Sequence, residues 1–282
     1  MRRLRSLAVA SLLALALPGC SLLTVDFQPK IRPLEEETVE GKGTSKILML
    51  DLSGVLTEEL PSFSLTTPPP RVSLLARVRE ELAKAEKDEH VRALIVRINS
   101  PGGTITASDV LYHEILAFKQ RKKVLVIAAV MDVGASGGYY AALAADIIVV
   151  NPTTITGSIG VVMVTLDAQG LMQKIGVAPL AIKSGPMKDA GSPFRALTGP
   201  ELAVFQGIID DMYGRFVGLI VQSRHLPDDR VRMLAGMQAQ RVELEEFRIR
   251  RLGIGHGGGS DPTGYPVASG SQRSGKWKGA KK

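Results

Sequence analysis

Asp132-Val133-Gly134-Ala135-Ser136-Gly137-Gly138-Tyr139-Tyr140-Ala141 lies between two apolar runs, Val124–Val130 and Ile147–Val150. Both runs have the length and β-branched content of buried strands. The glycines on either side of Ser136 mark a sharp turn, and Tyr139–Ala145 is an Ala-rich stretch predicted to be a short helix. A strand that turns through glycine into a helix presents one side chain at the bend. It also leaves unpaired N–H groups at the helix start. A nucleophile and an anion-binding pocket would then be neighbours. The plain alternative is a tight glycine turn with a capping serine, so the rest of the chain must decide.

Outward from this turn, strand and helix patterns alternate. Ile47–Leu52 and Ala93–Ile98 are predicted strands. Between them a helix beginning near Val72 carries Leu75, Val78 and Leu82 on one face. Ala93–Ile98 runs into a second glycine turn, Asn99-Ser100-Pro101-Gly102-Gly103. The following helix is expected to start with a Thr106/Asp109 capping box and to bury Leu111, Ile115 and Phe118. Thr153–Val161 is a third small-residue loop, Leu171–Ile175 a short helix and Leu180–Ile182 a short strand. Lys183–Asp189 cannot be regular structure. Thr198 and Glu201 form a further capping box, and Leu202, Phe205, Ile209, Met212, Phe216 and Leu219 are expected to form a buried seam. The alternation implies an α/β domain with a largely parallel sheet covered by helices.

The 282 residues are 45% hydrophobic and 22% charged, the composition of a globular protein and not a disordered chain. The net charge of +7 is unevenly placed. Residues 1–19 hold three positive charges and 248–282 a net +7, which leaves −3 for residues 20–247. The body is mildly acidic, so the basic balance gives no support for nucleic-acid binding by the fold.

Arg2, Arg3 and Arg5 precede the apolar stretch Leu7–Leu17, which is too short to span a bilayer comfortably. It ends at Leu17-Pro18-Gly19-Cys20, whose cysteine is the only one in the chain. This resembles a bacterial lipobox, with cleavage before Cys20 and lipidation on it. The resemblance implies a cell-envelope protein, lipid-anchored on the periplasmic side. The expected organisation is a signal peptide (1–19), a tether (20–45), one catalytic domain (46–236), and an atypical, basic, disordered tail (237–282).

A serine nucleophile needs a base. None of the histidines, at 90, 113, 225 and 256, lies in the three glycine turns. A lysine can serve instead. A solvated lysine, with a pKa of about 10.4, is neutral only about once in 2,500 at pH 7, so it must be desolvated to act. Lys183 and Lys188, on the irregular small-residue loop, are the candidates.

Five motifs occur in order: Asn99–Gly103, Ala135–Ala141, Ala144-Ala145-Asp146, Thr154–Val161, and Lys188-Asp189 with Ser192-Pro193-Phe194-Arg195. Together they resemble the signal peptide peptidase A family of serine–lysine peptidases over residues 46–235. The resemblance implies a Clp-protease/crotonase-like fold and hydrolysis of peptide bonds in apolar peptides such as cleaved signal peptides. It also implies assembly as a homo-oligomer. Ser136 matches the family nucleophile and Lys188 the general base, with Lys183 as fallback. The turn after Ala93–Ile98 matches the oxyanion site, for which the N–H groups of Gly103, Gly102 and Gly137 are candidates. Met237–Lys282 does not resemble the family. No metal-ligand spacing or nucleotide loop occurs, so no cofactor is implied.

Two other readings compete. Gly134–Gly138 also fits G-x-S-x-G, the nucleophile elbow of an α/β-hydrolase-type esterase. His225 would then be the base, following Asp210 or Asp211. The third reading is a non-catalytic lipoprotein scaffold on the same fold.

Overall fold

The computed structural model describes residues 34–58, 72–236, 249–251 and 274–278, the last two stretches as backbone. The expected signal peptide, Cys20, the start of the expected tether and most of the expected tail lie outside these residues.

Four parallel strands form the centre of the sheet: β2 (Lys46–Ser53), β3 (Val91–Ser100), β4 (Leu125–Ala135) and β5 (Ile147–Val150). Their register explains the core. Leu48, Leu94 and Val126 lie in one row across the sheet; Leu50, Val96, Ala128 and Ile148 form the next; Leu52, Ile98, Val130 and Val150 form the third. Every one of these side chains is at most 1% exposed. Because side chains alternate across a strand, all three rows share one face. That face packs against α1 (Leu74–Lys87), α2 (Ile105–Lys122) and α3 (Gly137–Ala142). Leu75, Val78 and Leu82 of α1, and Leu111, Ile115 and Phe118 of α2, are buried as their spacing implies. The opposite face, with Met49, Ile95, Ile127 and Ile147 in register, is only half-buried.

The edges depart from the sequence expectations. Residues 35–40, assigned to the tether, form β1. Two segments of the expected disordered tail form strands, β7 (Ile249–Arg251) and β8 (Ser274–Lys278). β1 pairs antiparallel with β8, which also runs beside β2, and β7 runs parallel to β5. An edge strand needs pairing partners more than an apolar pattern, so the charged β1 and the glycine-bearing tail gave little signal of it. The short β6 (Ile155–Gly157) pairs with the far end of β4.

Helix α2 starts two residues earlier than expected. Thr104, not Thr106, is the cap, its side chain accepting from the Ala107 N–H. The expected strand at Leu180–Ile182 is irregular and exposed. The short helix α4 (Gln169–Lys174) forms but buries no residue. The long helix α5 (Gly199–Arg224) carries the Thr198/Glu201 capping box, and α6 (Asp228–Gly236) follows it. The seam of α5 is buried only at its end. Phe216, Val217 and Ile220 are in the core, whereas Leu202 is 58% exposed and Phe205, Ile209, Met212 and Leu219 are half-buried. Residues 160–212 therefore make an arm that contributes no side chain to the hydrophobic core, with Val162, Val164, Leu166, Leu180 and Ile182 open on it. Periodicity states which residues share a face and not whether anything covers that face.

No helix among the described residues is long and apolar enough to cross a membrane.

Candidate active site

Ser136 sits where β4 ends and α3 begins, with φ 50° and ψ −119°. A non-glycine residue at positive φ costs about 1–3 kcal/mol and persists only where its surroundings fix it. Here they do. The Ser136 N–H donates to the Gly157 carbonyl of β6 (2.8 Å), and the Ser136 carbonyl accepts from the Tyr140 N–H (2.9 Å). The bend leaves the Ser136 side chain half-exposed at the carboxyl end of the sheet, between the turn after β3 and β6. This is where open α/β sheets place their sites.

The glycines beside it are there for space. A Cβ at Gly137 would meet Ser108 Oγ at 2.1 Å, and one at Gly138 would meet the Ser100 carbonyl at 2.8 Å. Gly102, at φ 102°, packs on the Ser136 turn itself; a Cβ there would lie 2.7 Å from Gly137 N. Gly103 packs on Leu56, where a Cβ would stand 2.0 Å from the carbonyl oxygen. Leu56 is held by two backbone bonds, its N–H to the Gly102 carbonyl (2.9 Å) and its carbonyl to the Thr104 N–H (2.8 Å).

These contacts sort the expected oxyanion donors. The Gly102 N–H already donates to Ser100 Oγ (3.1 Å), with Ser100 fully buried. The Gly102 N–H is thus already engaged, and Gly102 also serves as a spacer. The Gly137 N–H is at the first turn of α3, where no intrahelical acceptor exists. Neither it nor the Gly103 N–H is engaged in a hydrogen bond among the described residues.

Sequence reasoning missed the group that holds α3 in place. Tyr140 Oη donates to Asp109 of α2 (2.5 Å), and Arg215 of α5 donates to the same carboxylate from Nη2 (2.8 Å) and Nε (3.0 Å). Partial burial pushes the Asp109 carboxyl up, but the Tyr140 hydroxyl and the Arg215 guanidinium outweigh it and hold it below its usual range. Burial, then the Asp109 bond, pushes the Tyr140 hydroxyl well above its ordinary value. Arg215 lies 106 residues from Asp109 along the chain. No local pattern could have paired them.

The two lysines differ sharply. Lys183 Nζ is engaged by Asp189 Oδ1 (2.6 Å) and the Pro186 carbonyl (3.2 Å). Lys188, five positions on, is exposed, and its amine has no hydrogen-bond or ion-pair partner among the described residues. No hydrogen bond joins Ser136 Oγ to either lysine or to His225 among these residues. His225 is exposed at the αL end of α5. Asp210 and Asp211 are exposed on the same helix.

Residues 117–242 match the model of peptidase family S49. A putative protease of Synechocystis sp. is 38% identical over 176 residues, which are 60% of this chain and 61% of that protein. A putative signal peptide peptidase SppA of Enterococcus faecium is 33% identical over 208 residues, 71% of this chain and 57% of that one. The chain thus spans less than two thirds of either relative's length. Among solved structures, a ClpP1 mutant of Listeria monocytogenes aligns with a TM-score of 0.44 and 16% identity, over 72% of this chain and 89% of that one.

Proposed function

We propose that this chain, whose residues 117–242 match peptidase family S49 and which is similar to a putative signal peptide peptidase SppA, is a serine endopeptidase of that family using Ser136 as nucleophile and Lys188 as general base. The observation that carries this reading is the strained elbow at Ser136, locked by Gly157 and Tyr140 and flanked by two unengaged N–H groups. Strain retained at one exposed hydroxyl is costly for a mere turn and ordinary for a nucleophile.

In this mechanism the Lys188 amine, in its neutral form, takes the proton from Ser136 Oγ as the oxygen attacks the scissile carbonyl. The oxyanion is received by the N–H groups of Gly137 and Gly103. Removing one such donor typically costs about a hundred- to thousandfold in rate. Lys188 then protonates the leaving amine, and a water, activated by the same lysine, releases the acyl group. Lys188 is preferred to Lys183 because its amine is unpaired, whereas that of Lys183 is bound by a carboxylate; Lys188 is exposed here, so its desolvation comes with closure on Ser136.

The proposed substrates are apolar peptides such as signal-peptide remnants. The proposed location is the cell envelope, with the chain lipid-anchored through Cys20 on the periplasmic side. A homo-oligomer follows from the open apolar side chains of the arm, which a second copy would cover. Lys188 sits on that arm, so dyad closure and assembly are coupled in this reading.

Hydrolysis of a fluorogenic peptide with a small or apolar residue before the scissile bond tests the proposal. The detergent-solubilised full chain is compared with Ser136→Ala, Lys188→Ala and His225→Ala. Loss in the first two and retention in the third is expected. Loss in His225→Ala with retention in Lys188→Ala would transfer the site to the esterase reading. A folded but inert parent chain would favour the non-catalytic scaffold.

A further inference from the structure

Lys188 is followed directly by a carboxylate, yet its amine is not paired with it. Both oxygens of the Asp189 carboxylate are engaged by other cations. Oδ1 accepts from Lys183 Nζ (2.6 Å) and Arg195 Nη2 (2.8 Å), and Oδ2 accepts from Arg195 Nε (3.0 Å). Arg195 Nη2 also donates to the Asp189 carbonyl (3.1 Å). The same guanidinium reaches Glu201, which is 2% exposed at the start of α5, through Nη1 (2.9 Å) and Nη2. Glu201 is fixed in turn by the Thr198 N–H (2.9 Å). The group holds two cations and two anions and is neutral as a whole. It closes the loop on which Lys188 stands and ties that loop to α5. Of the other carboxylates on the neighbouring elements, Asp167 accepts from the Gln169 N–H, Asp210 accepts from Gln206, and Asp211 is exposed on α5.

We infer that Lys183 and Arg195 form a neutralising clamp on Asp189, which keeps its carboxylate from pairing with Lys188 and leaves the Lys188 amine available for proton transfer. The inference rests on Lys188 being the general base. Its chemistry is simple. A general base must lose its proton before it can act, and a free carboxylate within about 4–6 Å favours the charged form by about 1–3 pKa units. With the clamp intact, Asp189 spends its charge on a bidentate arginine and a second lysine. The Asp189 carboxyl is accordingly held far below its usual range, by Arg195 first and Lys183 second. Lys183 and Arg195 are positioning residues here, acting on Lys188 through Asp189. The fallback base of the sequence reading thereby acquires a different role.

The experiment is the pH dependence of kcat/KM for the full chain in detergent, on the same fluorogenic peptide. The variants are Lys183→Met, Arg195→Gln, Asp189→Asn and the double variant Lys183→Met/Asp189→Asn. Lys183→Met and Arg195→Gln are expected to move the rising limb to higher pH, by about one unit. Asp189→Asn removes one anion and leaves the group with a net charge of +1, Arg195 still being paired with Glu201, and is expected to move the limb down. The double variant is expected to cancel the upward shift of Lys183→Met. A clamp that is only a structural bracket would lower kcat or thermal stability in all four variants and leave the limb where it was, and that result would overturn the inference. Lys183 is on the loop surface, so Lys183→Met tests the idea even if Arg195→Gln unfolds the arm. Activity surviving in Lys188→Ala would instead sink the dyad itself, a separate failure visible in a separate variant.

Discussion

Gly102 lies against Ser136: a Cβ placed on Gly102 would stand 2.9 Å from the Cβ of Ser136 and 3.1 Å from the carbonyl of Ala135. Two turns that follow different strands are thus in direct contact, and glycine is the only residue that lets them meet. β3 and β4 run in register up to Ile98 and Val130, after which the pairing shifts so that Ser100 faces Gly134. That irregularity brings the two turns together at the carboxyl end of the sheet.

Gly102→Ala is therefore expected to damage activity out of proportion to stability. Its φ of 102° is unfavourable for alanine, which costs about 1 kcal/mol or more. The new methyl must also push the Ser136 turn, and with it the Gly137 N–H, away from the Gly102–Gly103 turn. A displacement of about 1 Å at a reacting centre can cost about a hundredfold. The check is kcat on the fluorogenic peptide beside the thermal unfolding midpoint. A folded Gly102→Ala protein with parental kcat would mean that this contact does not set the site geometry.

Ser136→Gly and Ser136→Ala are both expected to be inactive, but they should differ in stability. Glycine relieves the positive φ at this position, whereas alanine keeps it. Relief of such strain is worth about 1 kcal/mol or more. Denaturant unfolding should place the midpoint of Ser136→Gly above that of Ser136→Ala. Equal midpoints would show that the elbow stores no strain. Stability gained only by removing the reacting group is the pattern of a site kept for function.

The core of this fold was legible in the sequence because burial is written in alternation. Leu48, Leu50 and Leu52, or Leu94, Val96 and Ile98, state both strand and face. The Ser136 turn was legible because glycine at tight approaches is a steric demand visible in the sequence. The site's wiring was not. That Gly102 would spend its N–H on Ser100, or that Asp109 would receive Arg215, depends on packing between elements distant in sequence. The α5 seam shows the opposite limit, since Leu202 and Phe216 fit one apolar stripe yet only Phe216 is buried.

Asp109 ties α2, α3 and α5 together, and its contribution should depend on pH with a definite sign. Its folded pKa is depressed, once the Tyr140 and Arg215 hydrogen bonds have overcome the opposing burial. The stabilisation is therefore fully present above the unfolded-state value of about 3.9 and is lost as pH falls through the lower folded value. Arg215 is half-exposed, so its share is discounted for solvent. Hydrogen bonds to a charged group contribute about 1.5–3 kcal/mol. Asp109→Asn should lose about that much near neutral pH, and the gap to the parent should narrow as the pH drops below about 4. Urea unfolding at several pH values checks this. A gap that stays constant into acid would mean that the carboxylate's charge is not what holds the three helices.

Gly137 and Ser108 approach each other closely behind the Ser136 turn, and the contact can be tested as a pair. A Cβ on Gly137 would lie 2.1 Å from Ser108 Oγ and 3.2 Å from Ser108 Cβ. Ser108 cannot simply swing away, because its hydroxyl donates to the Thr104 carbonyl (2.9 Å) and the residue is buried. Gly137→Ala alone should thus destabilise by about 1–3 kcal/mol through overpacking. It should also displace the Gly137 N–H from its place beside Ser136. Ser108→Ala removes the oxygen and leaves contacts of 3.2 Å to the residue 108 Cβ and 3.3 Å to the Gly102 Cα, which a shift of a few tenths of an ångström relieves. In the double variant the two changes should be far from additive, with most of the Gly137→Ala penalty recovered in stability and part of it in kcat. Additive penalties would show that Gly137→Ala acts through its own backbone and not through Ser108, and that the start of α3 is held by other contacts.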